Sequence, residues 1–304
     1  MGNHALQINP FVVNGKTVDI HITSRGSDWV FAVMSIMGTV FLCILGASFM
    51  KPVKNRFFFY TLAIPAFIAM IVNFSIASNL GWTPIDVEWR RTSSEVAGIN
   101  RQIWYVRYIG WFLIWPILTV AILLTSVVPT LYILWTCFLT ASMAVLATVG
   151  ALVRSDYKWA YYTFWLFAWL MVGYHLIWLP RKYANTLGLD VFRTHNVSSG
   201  LLWGLWGLYP ICWGVSEGGN VIPPDSELIF YGVLDCLLIP VLAGYFLWAH
   251  WNIDPARLGL SMRTYEDPLP GTLVQHEKQS GPAPAAGVTN GTPTAAPVAE
   301  PVAA

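Results

Sequence analysis

The chain has 304 residues, 56% of them hydrophobic and only 11% charged, against about 25% charged in an average soluble domain. With 17 Lys and Arg against 16 Asp and Glu, it offers no electrostatic footprint for nucleic acid or for an acidic partner. The deficit of charge, together with 15% aromatic residues, points to lipid as the solvent.

The first 28 residues are polar, with Asn3, His4, Asn9, Lys16, Asp19 and Arg25, and no small-residue cleavage pattern closes the apolar run that follows. The first span, rather than a removable signal, is therefore expected to insert the protein. A membrane-crossing helix needs about 20 mostly apolar residues. Seven runs meet this: Trp29 to Met50, Phe57 to Leu80, Ile103 to Val128, Leu131 to Val153, Trp159 to Leu179, Val197 to Val215 and Leu228 to Trp248. Pro129 divides the third from the fourth, because proline cannot continue a helix without losing a hydrogen bond. None shows the short alternation of a membrane barrel. The expected fold is an all-α seven-helix transmembrane bundle over 29–251, with an extracellular segment 1–28 and a cytoplasmic tail 252–304. The excess of lysine and arginine around Lys51, Lys54 and Arg56 places the N-terminus outside. After about Pro268 the composition of Pro, Ala, Gly and Thr predicts disorder.

Cys43, Cys137, Cys212 and Cys236 fall in apolar runs without metal-ligand spacing and read as core side chains. Arg90 and Arg91, beside Asp86 and Glu88, read as a solvated charge cluster. Gly207 and Gly214 read as points of close helix approach, and Pro240 as a kink in the seventh span. Ionisable residues within spans are costly and are functional candidates by default. Arg107 in the third span, His175 in the fifth and Asp235 in the seventh stand out. His175 is expected to donate a hydrogen bond to a neighbouring helix.

Around these residues the chain resembles the microbial rhodopsin family. The sixth span reads LWGLYPICW from Leu205 to Trp213, followed by Ser216-Glu217-Gly218, and the seventh reads SELIFYGVLD from Ser226 to Asp235. Trp206, Tyr209, Pro210, Trp213 and Asp235 match the family's pocket pattern. Arg107-Tyr108 with Trp111, and Pro116, match its third helix; Pro65 and Met143 fit more loosely. The resemblance implies a vestigial pocket of Trp111, Met143, Trp206, Tyr209, Pro210 and Trp213. It also implies that Arg107 and Asp235 face each other as a buried ion pair, that the loop after the second span forms a short hairpin, and that relatives assemble as homo-oligomers.

The departures carry the functional reading. Four residues after Asp235, where the family has its retinal lysine, stands Ile239, and a hydrocarbon cannot condense with an aldehyde. All six lysines lie outside the seven runs. Gly110 occupies the family's proton-acceptor position and Ala121 its donor position, so the third helix has no carboxylate to relay protons. A retinal Schiff-base pigment or light-driven proton pump is excluded on these grounds, and no metal or covalent cofactor is expected. Lysine-free members of the family are fungal opsin-related proteins that look like the thirty-kilodalton heat-shock protein group of the yeast plasma membrane. That likeness implies a stress-responsive plasma-membrane protein, not an enzyme, that modulates a partner such as the proton ATPase or acts as a membrane chaperone. Two alternatives stay open: a passive channel or transporter for an ion or small solute, and a sensor that binds a retinoid or sterol noncovalently. Against the latter, Trp115 and Trp165 are bulky enough to fill the interior themselves.

Overall fold

In lipid every backbone polar group must be satisfied within its own segment, and each apolar run accordingly becomes a helix. The computed structural model describes residues 3–87, 98–265 and 267. A short α1 (His4–Ile8) and a two-stranded ribbon, β1 (Val12–Val13) with β2 (Lys16–Thr17), precede the first span, α2 (Ser24–Ser48). The second span is α3 (Phe57–Ala77). A hairpin of β3 (Thr83–Asp86) and β4 (Asn100–Ile103) leads into α4 (Tyr105–Thr125), and α5 (Thr130–Leu152) follows. The expected hairpin is therefore present, and the break between the third and fourth spans falls at Val127 to Pro129, where Val127 has a φ of 53°.

The last three spans each contain a π turn. The fifth consists of α6 (Lys158–Gly173), the π turn Tyr174–Trp178 and α7 (Leu179–Leu187). The sixth consists of α8 (Leu189–Trp206), α9 (Leu208–Trp213) and the π turn Gly214–Gly218. The seventh consists of α10 (Pro224–Cys236), the π turn Leu237–Val241 and α11 (Leu242–Ala249). Pro240 sits inside the last of these turns, where the wider helix absorbs its missing N–H. Six of the seven are unbroken helices long and apolar enough to cross a membrane. The sixth is interrupted at Gly207 and carries Asp190, Arg193 and His195 near its start.

Consecutive helices pack side by side and α10 returns to α2, where the Trp29 indole donates to the Leu228 carbonyl at 3.1 Å. Leu42, Phe67, Leu134, Phe138 and Phe167 point outward, while Trp115, Trp165, Trp206 and Trp213 are buried. That arrangement suits a bundle whose outer face meets lipid tails. All four cysteines carry free thiols, but Cys43 is exposed on the outer face instead of lying in the core.

The two ends differ in charge. The end where α2 finishes carries Lys51, Lys54, Arg56, Arg181, Lys182, Arg193 and Arg257 against Asp190 and Asp254. It is laced by Lys51 donating to the Trp251 carbonyl at 2.7 Å and Arg257 pairing with Asp190 at 2.7 Å. At the other end Asp86 pairs with Lys16 and Arg154, at 3.9 and 3.3 Å. Glu88, Arg90 and Arg91, expected to join Asp86 in a cluster, lie outside the described residues, as does the tail beyond Pro268. The bundle ends at Met262. In the separate unit that follows, the Thr264 N–H and hydroxyl both donate to the Asp267 carboxylate, at 2.7 and 3.0 Å.

Candidate functional site

Arg107 enters the bundle from the first turn of α4 and is buried. Its Nη1 donates to Glu227 at 2.6 Å and to Glu217 at 3.2 Å, and its guanidinium lies 4.0 Å over the Tyr231 ring. Arg101, held in β4 by the hairpin, places Nη2 2.7 Å from the other oxygen of Glu227 and Nη1 2.9 Å from the Ile222 carbonyl. Glu217 also accepts from the Tyr108 hydroxyl at 2.9 Å, from the Tyr231 hydroxyl at 3.2 Å and from the Ser216 hydroxyl. Two buried arginines and two buried glutamates thus form one neutral network, and a charge of either sign there is tolerable only because it is paired and hydrogen-bonded.

The ion pair expected between Arg107 and Asp235 does not form. Glu217 and Glu227 come closer to Arg107 and take its Nη1. Asp235 instead accepts from the Tyr209 hydroxyl at 2.7 Å, in a separate contact. Lys158 is a second correction. It does not lie beyond the spans but opens the fifth one, buried, with Nζ 3.2 Å from the Glu217 carbonyl. His175 does bond to a neighbouring helix, but with the opposite sense: its Nε2 accepts from the Trp135 indole at 3.1 Å.

Behind Arg107 the aromatic residues close on one another. Trp111 stacks on Trp115 at 4.9 Å and meets Tyr209 edge-on at 5.2 Å. Trp115 touches Trp206 at 5.5 Å and faces Trp165 at 6.5 Å with the planes 27° apart, and Trp165 meets Trp213 edge-on at 6.4 Å. Met143 and Pro210 are buried in the same region. The space bordered by Arg107, Gly110, Trp111, Trp115, Asp235 and Ile239 amounts to about 20 Å³, which is room for about one water molecule.

Ile239 lies in the π turn of the seventh span, buried at the edge of this space. A Cβ on Gly110 would sit 2.8 Å from Cγ2 of Val72, so α3 occupies the volume a third-helix carboxylate would need. Ala121 is fully buried. None of the residues that border this space is a lysine. Among the described residues no group of three or more His, Cys, Asp or Glu side chains could hold a metal.

Arg107, Asp235 and the aromatic set stand out in the sequence, whereas Glu217 and Glu227 carry no role there. One signal could have found them. They flank the same short turn, Gly219 to Pro223, and so must lie at the end of the bundle where Arg107 enters.

A bundle of seven transmembrane helices with an arginine near the start of the third, a Trp/Tyr-Pro/Trp lining on the sixth and an aspartate in the seventh has the architecture of a rhodopsin-type membrane protein. The family model described as bacteriorhodopsin-like protein matches residues 23–239, and the chain belongs to that family. It is 48% identical over 265 residues to the opsin-like protein carO of Fusarium fujikuroi, covering 87% of this chain and 86% of that protein. It is 36% identical to the 30 kDa heat shock protein of Saccharomyces cerevisiae, covering 81% of this chain and 78% of the relative. Among solved structures, the light-driven proton pump rhodopsin of Coccomyxa subellipsoidea superposes with a TM-score of 0.71 at 26% identity, over 76% of this chain and 99% of that one. The light-driven proton pump of Leptosphaeria maculans superposes at 0.72 with 24% identity, over 78% and 100%, a likeness of fold alone. The chain is thus an opsin-like integral membrane protein with fungal relatives.

Proposed function

We propose that this protein is a non-photochemical opsin-like protein that acts through its surface on a membrane partner, as a stress-responsive modulator of a plasma-membrane transporter such as the proton ATPase, or as a chaperone-like companion. The observation that carries this reading is the filled interior. At Ile239 there is a hydrocarbon instead of an amine, at Gly110 and Ala121 no carboxylate, and beside them a cavity of about 20 Å³. An interior without a chromophore anchor, a proton relay or room for a solute leaves the outer face and the two ends to carry activity. The stress role comes from the likeness to the 30 kDa heat shock protein, and the N-terminus is placed outside because the cation-rich end suits the cytoplasmic side.

Affinity capture of the tagged chain from native membranes, compared with a tagged helical membrane protein of similar abundance, tests the proposal. The proton ATPase or another abundant transporter should be enriched over the control. Equal recovery of every transporter with both baits removes the modulator reading. Proton flux into proteoliposomes above that of protein-free vesicles would favour a passive channel instead.

A further inference from the structure

At the cation-rich end, about the last three turns of the fifth span form one wall of a groove and α8 the other. Trp178, Arg181, Lys182 and Asn185 line the first wall and Phe192 the second, around about 280 Å³. We propose that this groove is a binding site for the headgroup of an anionic phospholipid carrying a phosphomonoester, a phosphoinositide of the facing leaflet. The inference goes beyond the partner-modulating reading and does not depend on it.

The fifth span is one helix of 30 residues, Lys158–Leu187. At 1.5 Å per residue, Arg181 lies about 35 Å along it, whereas the hydrocarbon core is about 30 Å thick. Trp178 then falls at the boundary, 61% exposed, where indole rings concentrate. Arg181, Lys182 and Asn185 fall in the headgroup layer.

Among the described residues neither Arg181 nor Lys182 has a carboxylate within 4.0 Å. The Arg181 guanidinium lies 5.5 Å from the Phe192 ring and so joins the two walls. The nearest acid in sequence, Asp190, is already held bidentately by Arg257. Two adjacent unpaired cations call for a ligand of about two negative charges. A guanidinium fork matches phosphate oxygens, a lysine adds a point charge, and the Asn185 amide can donate to a ring hydroxyl. Basic pockets between helices at a membrane surface take such headgroups. Phosphatidylcholine brings its own cation and phosphatidylserine a single net charge, so both fit less well.

The π turn Tyr174–Trp178 inserts one residue and rotates the rest of the span by about 100°. Tyr132 fixes this turn by donating to the His175 carbonyl at 2.9 Å. The positions of Arg181 and Lys182 beside α8 depend on that rotation.

The test uses the purified full chain in detergent with soluble dioctanoyl phosphatidylinositol monophosphate, read by thermophoresis. Saturable binding is expected, with affinity at least about tenfold weaker for dioctanoyl phosphatidylserine and for the Arg181→Gln/Lys182→Gln variant, the effect of losing charge-assisted hydrogen bonds. Lys54→Gln, at the same end but outside the groove, should stay within about twofold. Equal affinity for phosphatidylserine, or an unchanged double variant, would reduce the site to diffuse surface charge and overturn the proposal. Inorganic phosphate binding as tightly would make it a free-anion site and overturn it as well. A photoactivatable phosphoinositide on the unmodified chain should label the stretch 178–192. Labelling elsewhere rejects the site independently of how the variant folds.

Discussion

Arg107 and Arg101 share Glu227, and Glu217 closes the set, so at the level of single residues the most consequential charges in the bundle belong to a network of four. Glu227 touches both arginines, at 2.6 and 2.7 Å, and its removal would leave two buried guanidiniums short of a partner. Breaking a buried ion pair from one side typically costs about 3–5 kcal/mol, and Glu227→Ala should lose that much in a denaturation titration of the detergent-solubilised protein. Asp235→Asn should lose less than about 1 kcal/mol, because the Tyr209 hydroxyl can donate to an amide oxygen as it does to the carboxylate. Equal losses for the two variants would put Asp235 back into the arginine network. The same residues show how far the sequence could be read. Arg107 and Asp235 announce themselves as charges inside apolar runs, but hydropathy ends the sixth run at Val215 and opens the seventh at Leu228. The helical backbone continues to Gly218 and begins at Pro224, and that extension carries the two glutamates inward. A cost of burial that is met by partners leaves no trace in a hydropathy window.

At the scale of elements, the fifth and sixth spans meet through a paired device. Trp169 and Trp203 stack at 4.5 Å with their planes 1° apart, and each indole N–H donates to the other's carbonyl at 3.0 Å. Four residues after each tryptophan comes a glycine, Gly173 and Gly207, over which the opposite ring lies. A Cβ on Gly173 would stand 2.4 Å from the Trp203 indole nitrogen and one on Gly207 2.8 Å from the Trp169 ring. Gly207 is therefore a point of close approach as its sequence suggested, whereas a Cβ on Gly214 would meet nothing nearer than 3.7 Å. Gly173→Ala should destabilise by about 1–3 kcal/mol, the range for overpacking, and should shift tryptophan fluorescence as the stack opens. An unchanged spectrum and melting curve would mean the ring pair relaxes without cost. A second element-scale contact is titratable. Hydrogen bonds from Arg257 hold the Asp190 carboxyl below its ordinary 3.8. A depressed value means the stabilisation is complete above that pH and is lost as pH falls through the lowered one. Hydrogen exchange over 253–260 should stay slow at neutral and mildly acid pH and quicken only below about pH 4. Arg257→Gln should quicken it at neutral pH, modestly, since about half of each side chain is exposed.

For the whole molecule, the question is whether the missing amine alone separates this protein from the pigments it resembles. If it did, Ile239→Lys would restore a Schiff base and a visible colour with added retinal. The packing argues otherwise. Trp115 is fully buried, stacks on Trp111 and touches Trp206, and the space beside Ile239 is about 20 Å³. Interiors packed at this density do not open for a large guest without losing their own contacts. Ile239→Lys alone should therefore give neither a visible absorbance band nor an adduct that survives borohydride. It should also destabilise the bundle, because an ammonium would be buried there with Asp235 as its nearest acid along the helix. Pairing it with Trp115→Ala removes the ring that fills the interior, and the double variant should take up retinal where the single one does not. Colour from the single variant would show that the tryptophans move aside readily. The filled interior would then cease to support a function exerted from the surface, and the noncovalent retinoid sensor would become the better reading.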